Sequence, residues 1–325
     1  MKRFLVTGGC GFIGSNFLHF FLNSHQDVSV INLDKLTYAG VRANTQNLEK
    51  DKRYTFIQGD ICDSNLVRQL MKDVDAVIHF AAETHVDRSI DSAGEFIQTN
   101  VVGTGILLDA ALQSGMKRFV HFSTDEVYGS TLKGSFSEED GLNPTSPYSA
   151  SKASSDLLAL SYFKTHHLPV IVVRSSNNFG PFQFPEKVIP LFITNLMSGR
   201  KVPLYAEGHN MRDWLYVGDC VQGVNFILQN GKAGEIYNLA SGSELTNLEL
   251  TRLILKAFHQ DDGMIEFVKD RPAHDFRYSL NSSKLTRLGF QVKADFRTRL
   301  SETIDWYQSH QSWWMPLKRD RYTVK

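Results

Sequence analysis

Short apolar runs alternate with amphipathic stretches along the first half of the chain. "KRFLV" is apolar and runs into glycines. "GFIGSNFLHFFLNSH" then carries apolar residues at helical spacing, and "VSVINLD" is a second buried-strand pattern ending in an acid. The alternation repeats through "YTFIQGDI", a helix around 64–72, "DAVIHFAA", a helix around 93–113, "RFVHFST", a helix over about 147–166, and "PVIVVRSSN". Nearly continuous apolar strands separated by helices predict a doubly wound α/β fold, a parallel sheet covered on both faces. Six or seven such strands fall before residue 178.

Past that point the pattern changes. "NNFGPFQFPEKVIP" is rich in Pro, Gly and Asn, and the remainder mixes short strands ("KVPLY", "EIYNLAS", "MIEFV") with helices ("NLELTRLILKAF", "RTRLSETIDWYQSH"). The expected organisation is a cofactor domain over 1–173 and a smaller, interleaved C-terminal α/β substrate domain over 174–325. "RDWLYVGDCVQGVNFIL" reads as a strand–helix unit, so a segment near 211–230 is expected to return to the first sheet.

Composition narrows the function classes. Of the 325 residues, 42% are hydrophobic and 22% charged, ordinary for a globular protein. Lys+Arg and Asp+Glu each count 35, so the basic excess of a nucleic-acid binder is absent, leaving room only for a local basic pocket. The 3 Cys (Cys10, Cys62, Cys220) show neither a disulfide framework nor metal-ligand spacing, which predicts no metal and a reducing, cytoplasmic setting. "MKRFLV" has the charge of a leader, but "TGG" interrupts it early, and no apolar stretch approaches the roughly 18–20 residues of a membrane span.

The first candidate chemistry lies in "TGGCGFIG", where Gly8, Gly11 and Gly14 sit between the first strand and the first helix. Glycine lets backbone approach a pyrophosphate, and the helix start offers free N–H groups and a positive dipole end. The spacing departs from the usual G-x-G-x-x-G, but Asp34 stands 20 residues beyond Gly14 at the end of the second strand. There a carboxylate can hold a ribose 2′-OH and repel the extra phosphate of NADP, which makes the sheet Rossmann-type. Ligands lie at the carboxyl ends of parallel strands, so Asp60 and Ile61 are placed near the adenine and the stretch from Phe80 to Thr84, with Ala81 and Ala82, under the cofactor.

The second lies in "SPYSASK". Tyr148 and Lys152 are four apart and share a helix face, and an ammonium there is expected to lower the phenol's pKa. Such a phenol can take a proton from a sugar hydroxyl as hydride leaves the same carbon. The third is "STDEVYG", which ends an apolar strand with adjacent Asp125 and Glu126; they are either a turn cap with a solvated neighbour or a positioned acid and base.

Together, "TGGCGFIG", "YSASK" and the chain length resemble the extended short-chain dehydrogenase/reductase family, the NAD-dependent epimerases and dehydratases of nucleotide sugars. "AAETHVDRSI", "STDEVYG", "SSNNFGPFQFPEKVIP", "RDWLYVGD", "DRPAHDFRY" and "WWMPLK" resemble its dTDP-glucose 4,6-dehydratase group almost end to end. Thr84 and Phe179 depart from that pattern, where Ser and Tyr are expected, as does "VRANTQNL" after "LTYAG". The resemblance implies a lyase with a tightly bound NAD that is regenerated each turnover. It implies Thr124 at the C4 oxygen, Asp125 as acid toward C6, Glu126 as base at C5, and Tyr148 with Lys152 in the oxidation step. It adds Phe12, Ile13, Lys35, Thr37, Thr99 and Asn178 to the cofactor residues above. Toward the substrate it implies Asn177, Lys187, Val188, Pro203, Tyr205, Arg212, Asn247, Arg271 and His274, with Arg favoured for phosphate. A homodimer packed through central helices is also implied. Turnover of UDP-glucose, decarboxylation of a UDP-uronate, and nucleotide-sugar binding without turnover are the competing readings. Thymine and uracil differ by one methyl group, which the sequence does not read.

Overall fold

The computed structural model describes residues 2–318 apart from 271, 273, 293 and 294. The six apolar runs become β1 (Lys2–Thr7), β2 (Val28–Asp34), β3 (Tyr54–Gln58), β4 (Ala76–His79), β5 (Arg118–Thr124) and β6 (Val170–Ser175). The second half adds β7 (Asn177–Phe179), β8 (Val202–Tyr205), β9 (Met211–Tyr216), β10 (Ile236–Leu239), β11 (Glu244–Thr246) and β12 (Ile265–Val268). Seven strands form one parallel sheet in the order β3-β2-β1-β4-β5-β6-β10. The order reverses between β1 and β4, which opens a crevice at the carboxyl ends of the strands.

Strand side chains alternate between faces, and here both faces are apolar. Phe4, Val6, Ile78, Val120 and Ile171 pack with Phe17, Phe21, Val221 and Val224 from the helices Phe12–Ser24 and Val217–Asn230. Leu5, Val77, Phe119 and Val172 pack on the other face with Val67, Leu107, Leu108 and Ala159 from the helices Ser64–Met71, Thr104–Gln113 and Pro147–His166. The helix expected over 93–113 is interrupted by a π-helical segment, Ile97–Gly103, a feature frequent near functional sites. Its Asn100 is buried and bonds both backbone groups of Glu83 and the Ser151 hydroxyl, at 2.8–3.0 Å.

The second half has its own core of Phe179, Ile189, Phe192, Trp214, Leu250, Ile254, Ile304 and Tyr307. The segment 211–230 divides its parts between the two regions. The Val217–Asn230 helix returns to the main sheet beside the first helix, but β9 pairs with β7 and β11 in a separate three-stranded sheet. The strand that returns to the main sheet is β10, beside β6. Polarity explains the choice: β9 buries Arg212 and Asp213, whose partners lie outside the apolar sheet. The Asp213 carboxylate accepts from Ser176, Ser241 and the Gly242 N–H.

Candidate active site

The Gly-rich turn is built for close approach. Gly8 has φ +72°, and a Cβ on Gly14 would stand 2.3 Å from the Gly8 carbonyl oxygen. Gly11 opens the Phe12–Ser24 helix without a side-chain cap, so its first N–H groups face the crevice between Gly8 and Asp34. Asp34 ties that loop to the next. One carboxylate oxygen accepts from the Cys10 N–H and the other from the Leu36 N–H, both at 2.8 Å. Burial pushes its pKa up while these two N–H groups pull it down. Lys35 pairs with Asp60 at 2.8 Å on the adjoining strand end.

From this turn a cavity of about 310 Å3 runs along the strand ends to Thr124, Asp125, Glu126, Tyr148 and Lys152. Every residue expected to hold a cofactor lines it: Gly8, Gly11, Phe12, Ile13, Gly14, Asp34, Lys35, Thr37, Asp60, Ile61, Phe80, Ala81, Ala82, Thr99, Tyr148, Lys152 and Asn178. Glu83, within the stretch expected under the cofactor, also lines it; it is 8% exposed, and burial raises its pKa. Sequence reasoning missed several others on the same wall, among them Tyr38, Gln183 and Phe184. Elongated, and walled by a glycine cradle and a carboxylate, the site suits a dinucleotide.

At the far end, Ser146 starts the Pro147–His166 helix with a capping box to Ser149, and Pro147 occupies the first turn. This start places Tyr148 and Lys152 one turn apart over the end of β5. The Tyr148 hydroxyl meets those of Thr84 and Thr124. Lys152, 5% exposed, donates to the Phe122 carbonyl at 2.8 Å. Here the sequence expectation needs correcting. Burial raises the pKa of the phenol, and the nearby Glu126 and Asp125 add to the effect. Lys152 is itself pushed down to about 8 by burial. In the protein alone, burial and the two acids leave the phenol above its ordinary value.

The two acids of "STDEVYG" occupy a 3-10 turn, Asp125–Tyr128, capped by the Thr124 hydroxyl, which accepts from the Glu126 N–H at 3.3 Å. Thr124, not Asp125, is therefore the cap. Asp125 is 2% exposed, and its Oδ1 accepts from the Thr124 hydroxyl at 3.2 Å. Burial, reinforced by the Glu126 charge, raises its pKa well above the ordinary carboxylate value. Glu126 is half-buried and lines the cavity. Adjacent carboxyl groups with unlike surroundings are what acid–base chemistry at one substrate requires.

Of the residues expected at the substrate, Thr84, Thr124, Asn177 and Lys187 line the cavity. Val188, Pro203, Tyr205, Arg212, Asn247 and His274 lie beyond it in the second region, and Arg271 lies outside the described residues. Arg212, 6% exposed, donates to the Met211 and Asp275 carbonyls and stacks over Tyr278 at 4.2 Å. As β-strand neighbours, Arg212 and Asp213 point to opposite faces, so Asp213 joins the Ser241 side instead. The Asn247 N–H donates to Asn210, whose side chain also reaches Asp275. Tyr205 meets His274 edge-on at 5.9 Å, and His274 pairs with Asp270 at 2.6 Å. Among the described residues no group of three or more His, Cys, Asp or Glu could hold a metal ion, and no helix is long and apolar enough to cross a membrane.

Comparison with known proteins agrees with this geometry. The family described as GDP-mannose 4,6 dehydratase matches residues 5–303. A dTDP-glucose 4,6-dehydratase of Streptomyces antibioticus is 53% identical over 97% of this chain and 95% of its own. Among solved structures, the dTDP-glucose 4,6-dehydratase DesIV of Streptomyces venezuelae, with NAD bound, superposes with a TM-score of 0.96 at 49% identity, covering 98% of this chain and all of that one. A UDP-glucuronic acid 4-epimerase of Bacillus cereus, also with NAD, reaches 0.90 at 26% identity over 95% of this chain and 99% of that one. Full-length similarity of this order, on the same fold, places the chain in the GDP-mannose 4,6 dehydratase family, within the extended short-chain dehydrogenases/reductases.

Proposed function

We propose that the chain is an NAD-dependent hydro-lyase that converts dTDP-glucose to dTDP-4-keto-6-deoxyglucose and water. The observation that carries this reading is the buried Asp125 and the half-buried Glu126 on one cavity wall with Tyr148 and Lys152. Epimerisation at C4 needs a tyrosine and a hydroxyl donor, whereas removing water across C5 and C6 also needs a base and an acid. The relatives named dTDP-glucose 4,6-dehydratase support the substrate.

The residues divide the work by their surroundings. Gly8, Gly11 and Gly14 would hold the pyrophosphate of NAD, and Asp34 a ribose hydroxyl. NAD, when bound, would supply the hydride acceptor for C4 and, once reduced, the hydride source for C6. Tyr148 Oη takes the proton of the C4 hydroxyl, with the Thr124 hydroxyl orienting that oxygen and the Lys152 charge favouring the phenolate. The ketone at C4 makes the C5 proton acidic. Glu126 removes it and Asp125 delivers its own proton to the departing C6 hydroxyl; as hydride reaches C6, Glu126 gives its proton back to C5, and the proton held by Tyr148 makes up the one Asp125 gave. Lys187 and Arg212 supply cationic charge toward the diphosphate, with Asn177 and Asn247 as neutral donors and Tyr205 beside the base.

Purified protein is to be incubated with dTDP-glucose and, separately, UDP-glucose, and the 4-keto product followed by its absorbance in alkali. Product from dTDP-glucose without added NAD is expected. No product from it, under conditions where the protein carries NAD, sinks the reading. The exposed Ile90, Ile97 and Leu157, on neighbouring helical segments, support a homodimer packed through that face. The lack of a disulfide framework supports a cytoplasmic location.

A further inference from the structure

Behind the catalytic end of β5, the otherwise apolar face of the sheet carries two polar rows. Thr7, His79 and His121 are cross-strand neighbours on β1, β4 and β5, and Ser123, Arg174 and Asn238 are neighbours on β5, β6 and β10. The Pro147–His166 helix lowers two charged side chains onto them, Lys152 and, one turn later, Asp156. Asp156 is 0% exposed. Its Oδ2 accepts from Arg174 Nε at 2.9 Å, and its Oδ1 lies 3.2 Å from His121 Nε2. His121 Nε2 also meets the Ser155 hydroxyl at 3.1 Å, and the Arg174 guanidinium stands 4.6 Å over the Tyr128 ring.

The charges in this volume can be counted. Burial keeps His79 and His121 uncharged, and both rings are bonded to neutral hydroxyls, Thr7 and Thr104 for His79 and Ser155 for His121. Burial raises the Asp156 pKa, but the His121 hydrogen bond and then the Arg174 charge outweigh it and hold the pKa below its ordinary value. That leaves two buried cations, Lys152 and Arg174, and one anion, Asp156. An arginine does not give up its proton in a protein, so loss of the anion would be met by the lysine. Asp156 is also the charge that offsets the desolvation of Lys152.

We propose that Asp156, clamped by Arg174 and His121, is a positioning residue that supplies the counter-charge keeping the Lys152 ammonium protonated beside Tyr148. The proposal rests on the functional reading above only for what the ammonium does, not for its charge. A purely structural Asp156 would brace helix against sheet and leave the lysine's titration alone.

The test is the pH titration of Lys152, followed by the 13Cε resonance of labelled lysine, alongside the pH dependence of dTDP-glucose turnover. In D156N the lysine midpoint should fall from near 8 by about one pH unit or more, the alkaline limb of turnover should fall with it, and D156E should restore both. Should D156N not fold, the double variant D156N/R174M replaces the pair with neutral side chains of similar size, and a smaller fall is expected, because the Arg174 charge that repels the ammonium goes with its partner. An unchanged lysine midpoint in the folded variant overturns the proposal, however much activity is lost. A lowered midpoint in a protein that never converts dTDP-glucose upholds the counter-charge and rejects the assigned reaction.

Discussion

Replacing Asp125 by Asn tests the division of labour between the two acids. The amide matches the carboxyl in size and keeps an oxygen to accept from Thr124, but it cannot give a proton to the C6 hydroxyl. Loss of a positioned general acid costs about 100- to 10,000-fold, or about 3–5 kcal/mol of barrier. C4 oxidation relies on Tyr148, Lys152 and Thr124 and should keep its rate within a few fold. Rapid mixing of D125N with dTDP-glucose should therefore show the near-ultraviolet band of the reduced cofactor build up while keto-sugar release falls by that factor. Stability should move the other way. A carboxyl whose folded pKa is raised stabilises the fold at low pH, and that contribution is lost as pH rises from the unfolded value of 3.8 toward the folded one. Asparagine carries no such loss, so the Tm of D125N should match the wild type near pH 4 and equal or exceed it at pH 7. Wild-type product release, loss of the first stage, or a lower Tm at pH 7 would each refute the reasoning.

Gly14→Ala sets a Cβ 2.3 Å from the Gly8 carbonyl and 2.8 Å from the Gly9 Cα, backbone that cannot rotate away. The expected cost is about 1–3 kcal/mol in thermal unfolding, together with loss of NAD from the purified protein. Asp34→Asn leaves one of two charge-assisted N–H bonds, to Cys10 or to Leu36, facing an amide donor. Weaker NAD binding is expected by calorimetry, with a stability loss of about 1.5–3 kcal/mol. Leu157 is 59% exposed, so Leu157→Glu should cost a lone monomer less than about 0.5 kcal/mol yet halve the sedimenting mass if that face pairs two copies.

The parallel sheet was legible because its strands are buried on both faces and read as unbroken apolar runs, and the cofactor wall because strand ends are where such a sheet opens. Two kinds of information were not. The strand of the segment expected to return to the sheet stays outside it, and "RDWLY" and "EIYNL" are both short and mix apolar with polar residues. What separates them is that Asp213 finds three donors, Ser176, Ser241 and Gly242, in a neighbouring loop system, a long-range fact. The π-helical turn was invisible for the same reason. Nothing local says that Asn100 must turn inward to hold Glu83 and Ser151.

The electrostatics were the least legible, because a pKa depends on burial that no spacing reports. The Tyr148–Lys152 interval predicted an activated phenol, yet both groups are dominated by desolvation, and the phenol also faces two acids. The Asp125–Glu126 pair shows the same dependence in reverse. In a 3-10 turn successive side chains point about 120° apart, so adjacent acids cannot share an environment. Both line the cavity, but one is buried with Val127 and Tyr128, which raises its pKa, while the other is only half-buried. A single turn, held at its start by the Thr124 hydroxyl, thus favours a proton donor at one position and leaves the next more open to the substrate. Chemically similar residues become an acid and a base by where the backbone aims them.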